Sequence, residues 1–214
     1  MRIGVFDSGI GGEAVASALA TEFPAADLLM ASDHEHVPYG NRPADEITRL
    51  TDAAIQPLLA AHCDVIIIAC NTATAVSIAT LRERYPQQAF IGLEPMLKPA
   101  ALLTDTGVIA VCATPATLAS EFYRAAKQAH SAGIRVLEPD CSDWARLIED
   151  DQMNRNHIDE VVEYCLSENA DVIVLGCTHY HWIKQEIAQA TAGRAQILEP
   201  SEAIARRVRE LLNL

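Results

Sequence analysis

Two cysteines stand at matching points of a phrase that the chain says twice: Asp64-Val65-Ile66-Ile67-Ile68-Ala69-Cys70 and Asp171-Val172-Ile173-Val174-Leu175-Gly176-Cys177. A thiol has a reference pKa of roughly 8.5, and a helix N-terminus or a neighbouring cation stabilises its thiolate, so it can trade a proton near neutral pH. A tetrahedral carbon whose proton leaves one face and returns to the other needs two such groups, one on each side. Proton transfer of that kind requires neither a redox change nor a metal.

The elements that must position the thiols can be read outward from them. Each phrase is a continuous apolar run rich in β-branched residues, which is how a strand buried on both faces of a parallel sheet reads. Each ends on its cysteine, and polar residues follow, Asn71-Thr72 and Thr178-His179, before helical periodicity resumes. Both thiols therefore sit at carboxyl ends of strands, where open α/β sheets bind ligands. Upstream, residues 3–6 predict a strand running into Asp7-Ser8-Gly9-Ile10-Gly11-Gly12 and a helix over 13–21. Glycines at such a turn let an anion approach the helix start.

Further elements follow in the same alternation. A strand over 27–31 leads to the loop His34-Glu35-His36-Val37-Pro38-Tyr39-Gly40, then helical spacing over 44–61 that Pro57 must kink or shorten, a helix over 74–84 and a strand over 89–93. The second half replays this with strands at 107–111, 134–137, 171–176 and 196–198 and helices at 118–130, 156–168, 183–190 and 202–211. An offset of 107 lays Asp7 on Thr114, Asp33 on Asp140, Asp64 on Asp171 and Cys70 on Cys177 without a gap. The pattern predicts an α/β fold of two similar flavodoxin- or Rossmann-like domains with parallel sheets, related by internal duplication, with the active site in the cleft between them. Residues 1–96 form the first domain and 97–200 the second, with a closing helix in 201–214 packing back on the first.

Composition excludes several classes. A formal charge of −13 over 214 residues argues against a nucleic-acid partner, which needs clustered Lys and Arg. No apolar stretch approaches the roughly 20 residues that span a bilayer, and the first residues lack a signal-peptide core. Six cysteines without framework spacing fit free thiols in a reducing cytoplasm. Cys63, Cys112 and Cys165 read as packing residues, and His34 and His36 as solvated loop residues.

Asp7-Ser8-Gly9-x-Gly11-Gly12, Val37-Pro38-Tyr39-Gly40, Ala69-Cys70-Asn71-Thr72-Ala73 and Gly176-Cys177-Thr178-His179-Tyr180 together resemble the motif set of the cofactor-independent glutamate racemases, in the family's order and over nearly the whole chain. The resemblance implies two α/β domains, a cleft for the small-molecule substrate glutamate, no cofactor and no metal, and D-glutamate supply for peptidoglycan. It implies Cys70 and Cys177 as the acid/base thiols, Asp7 assisting Cys70 and His179 assisting Cys177. Ser8, Tyr39, Gly40, Asn71, Thr72 and Thr178 would hold the substrate, with Thr114 and Thr117 contributing. A homodimer is a possible assembly. The chain is several tens of residues shorter than usual members. Cys141-Ser142-Asp143-Trp144-Ala145-Arg146-Leu147-Ile148-Glu149 matches the corresponding family segment only loosely, so Glu149 stays outside the expected site.

Other readings compete with this one. Aspartate or another acidic amino acid could be the substrate, or the fold could bind an amino acid without turning it over. Gly9-x-Gly11-x-x-Ala14, with Asp33 19 residues on, fits a dinucleotide-binding fingerprint, although Asp7 would repel the pyrophosphate. Cys177-x-His179-x-His181 could be taken for a metal triplet, but it crosses a strand-to-helix turn and lacks a second ligand pair at zinc spacing.

Overall fold

The computed structural model describes residues 1–213. The first sheet is built from β1 (Arg2–Asp7), β2 (Asp27–Ser32), β3 (Val65–Ile68) and β4 (Phe90–Gly92), in the order β2-β1-β3-β4 with every pair parallel. The second uses β5 (Val108–Ala113), β6 (Arg135–Leu137), β7 (Val172–Gly176) and β8 (Gln196–Leu198) in the same order, β6-β5-β7-β8, again all parallel. The cysteine strands β3 and β7 are thus interior strands of their sheets, which accounts for their unbroken apolar runs. Val65, Ile66, Ile67 and Ile68 are fully buried, their side chains alternating between two core clusters, and each such burial is worth about 1.5–3 kcal/mol.

Helices cover both faces: α1 (Gly12–Glu22), α2 (Ala44–Ala54), α3 (Gln56–Ala60) and α4 (Asn71–Arg84) in the first half, then α5 (Leu97–Leu103), α6 (Pro115–Ala119), α7 (Glu121–His130), α8 (Trp144–Glu149), α9 (Arg155–Ser167), α10 (Lys184–Thr191) and α11 (Ser201–Leu212). Two expected helices are broken. The 44–61 stretch splits at Ile55, with Pro57 in the first turn of α3, where a missing N–H costs nothing. The 118–130 stretch splits at Ser120, whose hydroxyl accepts the Tyr123 N–H and caps α7. Ile204, Ala205 and Val208 of α11 bury against the core of the first sheet beside Ile3, Val15 and Ile91. Leu214 lies outside the described residues.

The gapless register of the repeat is corrected by the strand pairing. Phe6 pairs with Ile68, whereas Leu175, the counterpart of Ile68, pairs with Cys112. Ser8 rather than Asp7 is therefore the equivalent of Thr114. Leu29 and Leu137 pair with Gly4 and Ala110, so the second strands slip the other way and Asp33 matches Cys141 rather than Asp140. The offset of 107 holds at β3 with β7 and at β4 with β8. Among the described residues no helix is long and apolar enough to cross a membrane.

Candidate active site

Cys70 leaves β3 and becomes the N-cap of α4, its sulfur accepting the Ala73 N–H at 3.4 Å. The helix therefore begins at Asn71, three residues before periodicity alone places it, because a thiol at the cap satisfies a first-turn donor. Cys177 leaves β7 differently. It leads into a 3₁₀ segment, Thr178–Ile183, and its sulfur lies 3.7 Å from His179 Nδ1. One thiol is thus set against a helix start and the other against an imidazole.

The two sites meet across the halves. Thr178 Oγ1 donates to Asp7 Oδ2 at 2.8 Å, and the Gly9 N–H donates to Asp7 Oδ1 at 2.9 Å. The hydrogen-bond partner of Cys70 is Ser8, at 3.4 Å, while Asp7 acts on that thiol through its charge. Thr72, Thr114 and Thr117 form a hydroxyl triad, with Thr72 Oγ1 2.8 Å and Thr117 Oγ1 3.0 Å from Thr114 Oγ1. Gly40 is buried next to the Thr114 side chain. Tyr39 packs near Phe6 and Cys70 but donates its hydroxyl to Asp33 at 2.7 Å, which also holds His36 Nδ1 at 2.8 Å. Asn71 is buried, and both its amide nitrogen and its amide oxygen lack a hydrogen-bond partner.

Glu149, absent from the expected set, is part of this cluster. Its Oε1 lies 2.5 Å from His179 Nε2 and accepts the Ile10 N–H at 3.0 Å. The turn before α1 does receive an anion, and that anion is the chain's own carboxylate from the second half. Glycine is obligatory there. A Cβ on Gly9 would lie 2.0 Å from Glu149 Oε1, and one on Gly11 would lie 2.5 Å from Thr178 Oγ1 and 2.8 Å from the His179 backbone nitrogen. The space that a pyrophosphate would need is filled by these side chains, which removes the dinucleotide reading. The metal triplet does not converge either. His179 is engaged by Cys177 and Glu149, whereas His181 Nε2 faces Glu199 at 3.9 Å.

Burial and charge set the protonation states. Burial, then the nearby Asp7 charge and a contribution from Cys177, push the Cys70 thiol up to about 12, against hydrogen bonds from Ser8 and Ala73. Burial alone would lower His179, but its hydrogen bonds to Cys177 and Glu149, with the charge of Asp7, outweigh burial and push it up to about 11. The His179 hydrogen bond in turn holds Glu149 below the usual carboxylate range, and desolvation raises Asp7. At neutral pH the cluster holds an imidazolium between a carboxylate and one sulfur, and a protonated thiol at the other. Both cysteines are closed off from solvent, at 5% and 6% exposure.

Two four-stranded parallel α/β halves of one topology, joined by hydrogen bonds at the ends of their cysteine strands, have the fold of a solved racemase. The *Escherichia coli* glutamate racemase, crystallised with L-glutamate and an activator, superposes with a TM-score of 0.88 at 26% identity, over 99% of this chain and 82% of that one. The family profile for Asp/Glu/Hydantoin racemase matches residues 12–208, and the chain belongs to that family, which does not depend on pyridoxal phosphate. Curated glutamate racemases of *Sulfurovum* sp. and *Ectopseudomonas mendocina* are 38% and 36% identical to it, over 97% and 98% of this chain and 81% of each relative.

Proposed function

We propose that this protein interconverts L- and D-glutamate by proton transfer at Cα, with Cys70 and Cys177 as the two acid/base groups and no cofactor, and that it supplies D-glutamate for peptidoglycan in the cytoplasm. What supports the reading is that the two cysteines end equivalent interior strands and lie in one cross-half cluster, Cys70 bonded to Ser8, the adjacent Asp7 bonded to Thr178, and Cys177 next to Thr178 and His179, beside a buried Asn71 amide with no partner among the described residues. Residues 1–96 with the closing helix form one lobe in this proposal and 97–200 the other, each contributing one face of the site.

The mechanism follows from the asymmetry of the two thiols. With the proton on Cys70 and thiolate at Cys177, the sulfur of Cys177 takes the α-proton of one enantiomer while Cys70 donates its own to the opposite face. The product leaves the thiols with exchanged protonation, which is the form that accepts the other enantiomer. His179, held by Glu149, stabilises the charge on Cys177. Ser8 and the Ala73 N–H stabilise charge on Cys70 when its turn comes. Asp7 suits the substrate ammonium, while the Asn71 amide and the hydroxyls of Thr72, Thr114 and Thr117 offer donors to carboxylates. Exclusion of water strengthens each of these interactions.

The test is incubation with L-glutamate, and in parallel L-aspartate, in deuterium oxide without added cofactor. Exchange of the α-hydrogen with loss of optical rotation is expected for glutamate. Faster turnover of aspartate would overturn the substrate assignment. Activity that survives both Cys70→Ser and Cys177→Ser would overturn the two-thiol mechanism.

A further inference from the structure

We propose that His36 is a positioning residue for the junction between the halves: from the solvent side it fixes the Asp33 carboxylate, and through it Tyr39, so that the 3₁₀ turn Tyr39–Asn41 stays wedged between the helix starts at Cys70 and Thr114. The proton transfer itself makes no use of this imidazole.

The turn belongs to the first half and meets the second. It packs against α4, whose N-cap is Cys70, and against α6, whose N-cap is Thr114. Its first residue, Tyr39, is fully buried in the cluster that contains Phe6 and Cys70, its ring centre 6.4 Å from that of Phe6. Its second, Gly40, comes so near Thr114 that a Cβ there would lie 2.8 Å from the Thr114 Cβ. A shift of this turn therefore bears on both helix starts at once.

A tyrosine hydroxyl on a buried ring needs a partner, and Tyr39 has one in Asp33 Oδ2 at 2.7 Å. A carboxylate held by one oxygen alone can still turn. His36 removes that freedom, because its Nδ1 lies 2.8 Å from Asp33 Oδ1, and a carboxylate only accepts, which puts the ring proton on Nδ1. Each Asp33 oxygen thus has one side-chain partner among the described residues, the imidazole on one and the phenol on the other. The chain runs from solvent inward, the His36 side chain being 38% exposed and that of Asp33 13%. Its outer end is itself anchored. Arg42 Nε donates to the His36 carbonyl at 2.7 Å, Arg42 Nη1 donates to Glu46 in the first turn of α2 at 2.7 Å, and the Arg42 N–H closes the turn on the Tyr39 carbonyl at 3.0 Å. Supporting hydrogen bonds of this kind hold a site's geometry, and about an ångström of slack is enough to lower a rate.

Alkylation of Cys70 by iodoacetamide in the full-length protein, followed by mass spectrometry of its peptide, reads the turn without reference to activity. His36→Ala should raise the Cys70 rate about tenfold, the scale of one hydrogen bond to a charged group, with Cys165 in the core of the second half unchanged. His36→Asn keeps an N–H donor where Nδ1 stood and should stay within about twofold of the unsubstituted chain. In Tyr39→Phe, where Asp33 has lost its hold on the ring, His36→Ala should add less than about twofold. An unchanged Cys70 rate in His36→Ala, an Asn variant as fast as the Ala variant, an effect that persists in full in Tyr39→Phe, or a matching rise at Cys165 would overturn the proposal. The effect on turnover rests on the racemase reading: kcat/KM for glutamate α-hydrogen exchange should fall about tenfold in His36→Ala and recover in His36→Asn. Faster alkylation with kcat/KM unchanged would overturn the positioning role. A chain without any exchange would overturn the racemase reading, while the alkylation series still decides whether His36 holds Tyr39.

Discussion

Replacing Glu149 by Gln tests the His179–Glu149 pair of the second half, and with it the bond from the Ile10 N–H of the first, more sharply than any other single change. The carboxylate accepts from His179 at 2.5 Å and from the Ile10 N–H at 3.0 Å, and Gln can keep one acceptor but not the charge. A hydrogen bond between charged partners is worth about 1.5–3 kcal/mol and a neutral one about 1, so the substitution should cost about 2 kcal/mol, or about thirtyfold in the unfolding constant. For a chain of this size that lowers Tm by about 6 °C. The pH dependence gives the prediction its sign. His179 is raised in the fold to about 11, so its contribution is complete below its ordinary pKa and fades as pH rises from there through about 11. Glu149 is lowered in the fold, so its contribution is complete above the ordinary carboxylate range and is lost as pH falls through its folded value. The difference between the unsubstituted chain and Glu149→Gln should therefore be largest near pH 6 and shrink in both directions. Urea unfolding at pH 4, 6 and 10 measures it. An equal difference at pH 6 and pH 10, or none at pH 6, refutes the imidazolium–carboxylate pair.

Four other outcomes are expected. Cys70→Ser and Cys177→Ser should each lower glutamate α-hydrogen exchange by at least about a hundredfold, the lower range for removing a positioned acid or base, with circular dichroism unchanged. Asn71→Ala removes a buried amide that has no partner inside the protein, so urea unfolding should show a loss under about 1 kcal/mol or a gain, while the KM for glutamate rises. Thr178→Val takes the donor from buried Asp7 Oδ2 and should cost about 1–3 kcal/mol by the same measurement. Gly11→Ala drives a Cβ into Thr178 and the His179 backbone, so the halves must part and kcat/KM should fall by more than about tenfold.

The sequence by itself determined the strands that carry the chemistry. Val65–Ile68 and Val172–Gly176 could be read because interior parallel strands are buried on both faces, and that requirement writes an unbroken apolar run into the chain. The polar residues after each cysteine marked the strand ends for the same local reason, and the repeat announced two sheets of one topology. Tertiary structure alone decided what a gapless offset cannot see. The register of β1 against β3 is set by loops whose lengths differ between the halves, so Ser8, not Asp7, stands where Thr114 does. Local pattern also missed the short helix α8, too brief for a periodicity to declare itself. Glu149 could not be found by any spacing rule, because its partner His179 lies 30 residues away and is met only when the second half folds, and Ile10 lies 139 residues away in the other half. Periodicity reports which face of an element is buried; which side chains cross from one half to the other depends on how two finished sheets pack, and that is a property of no single segment.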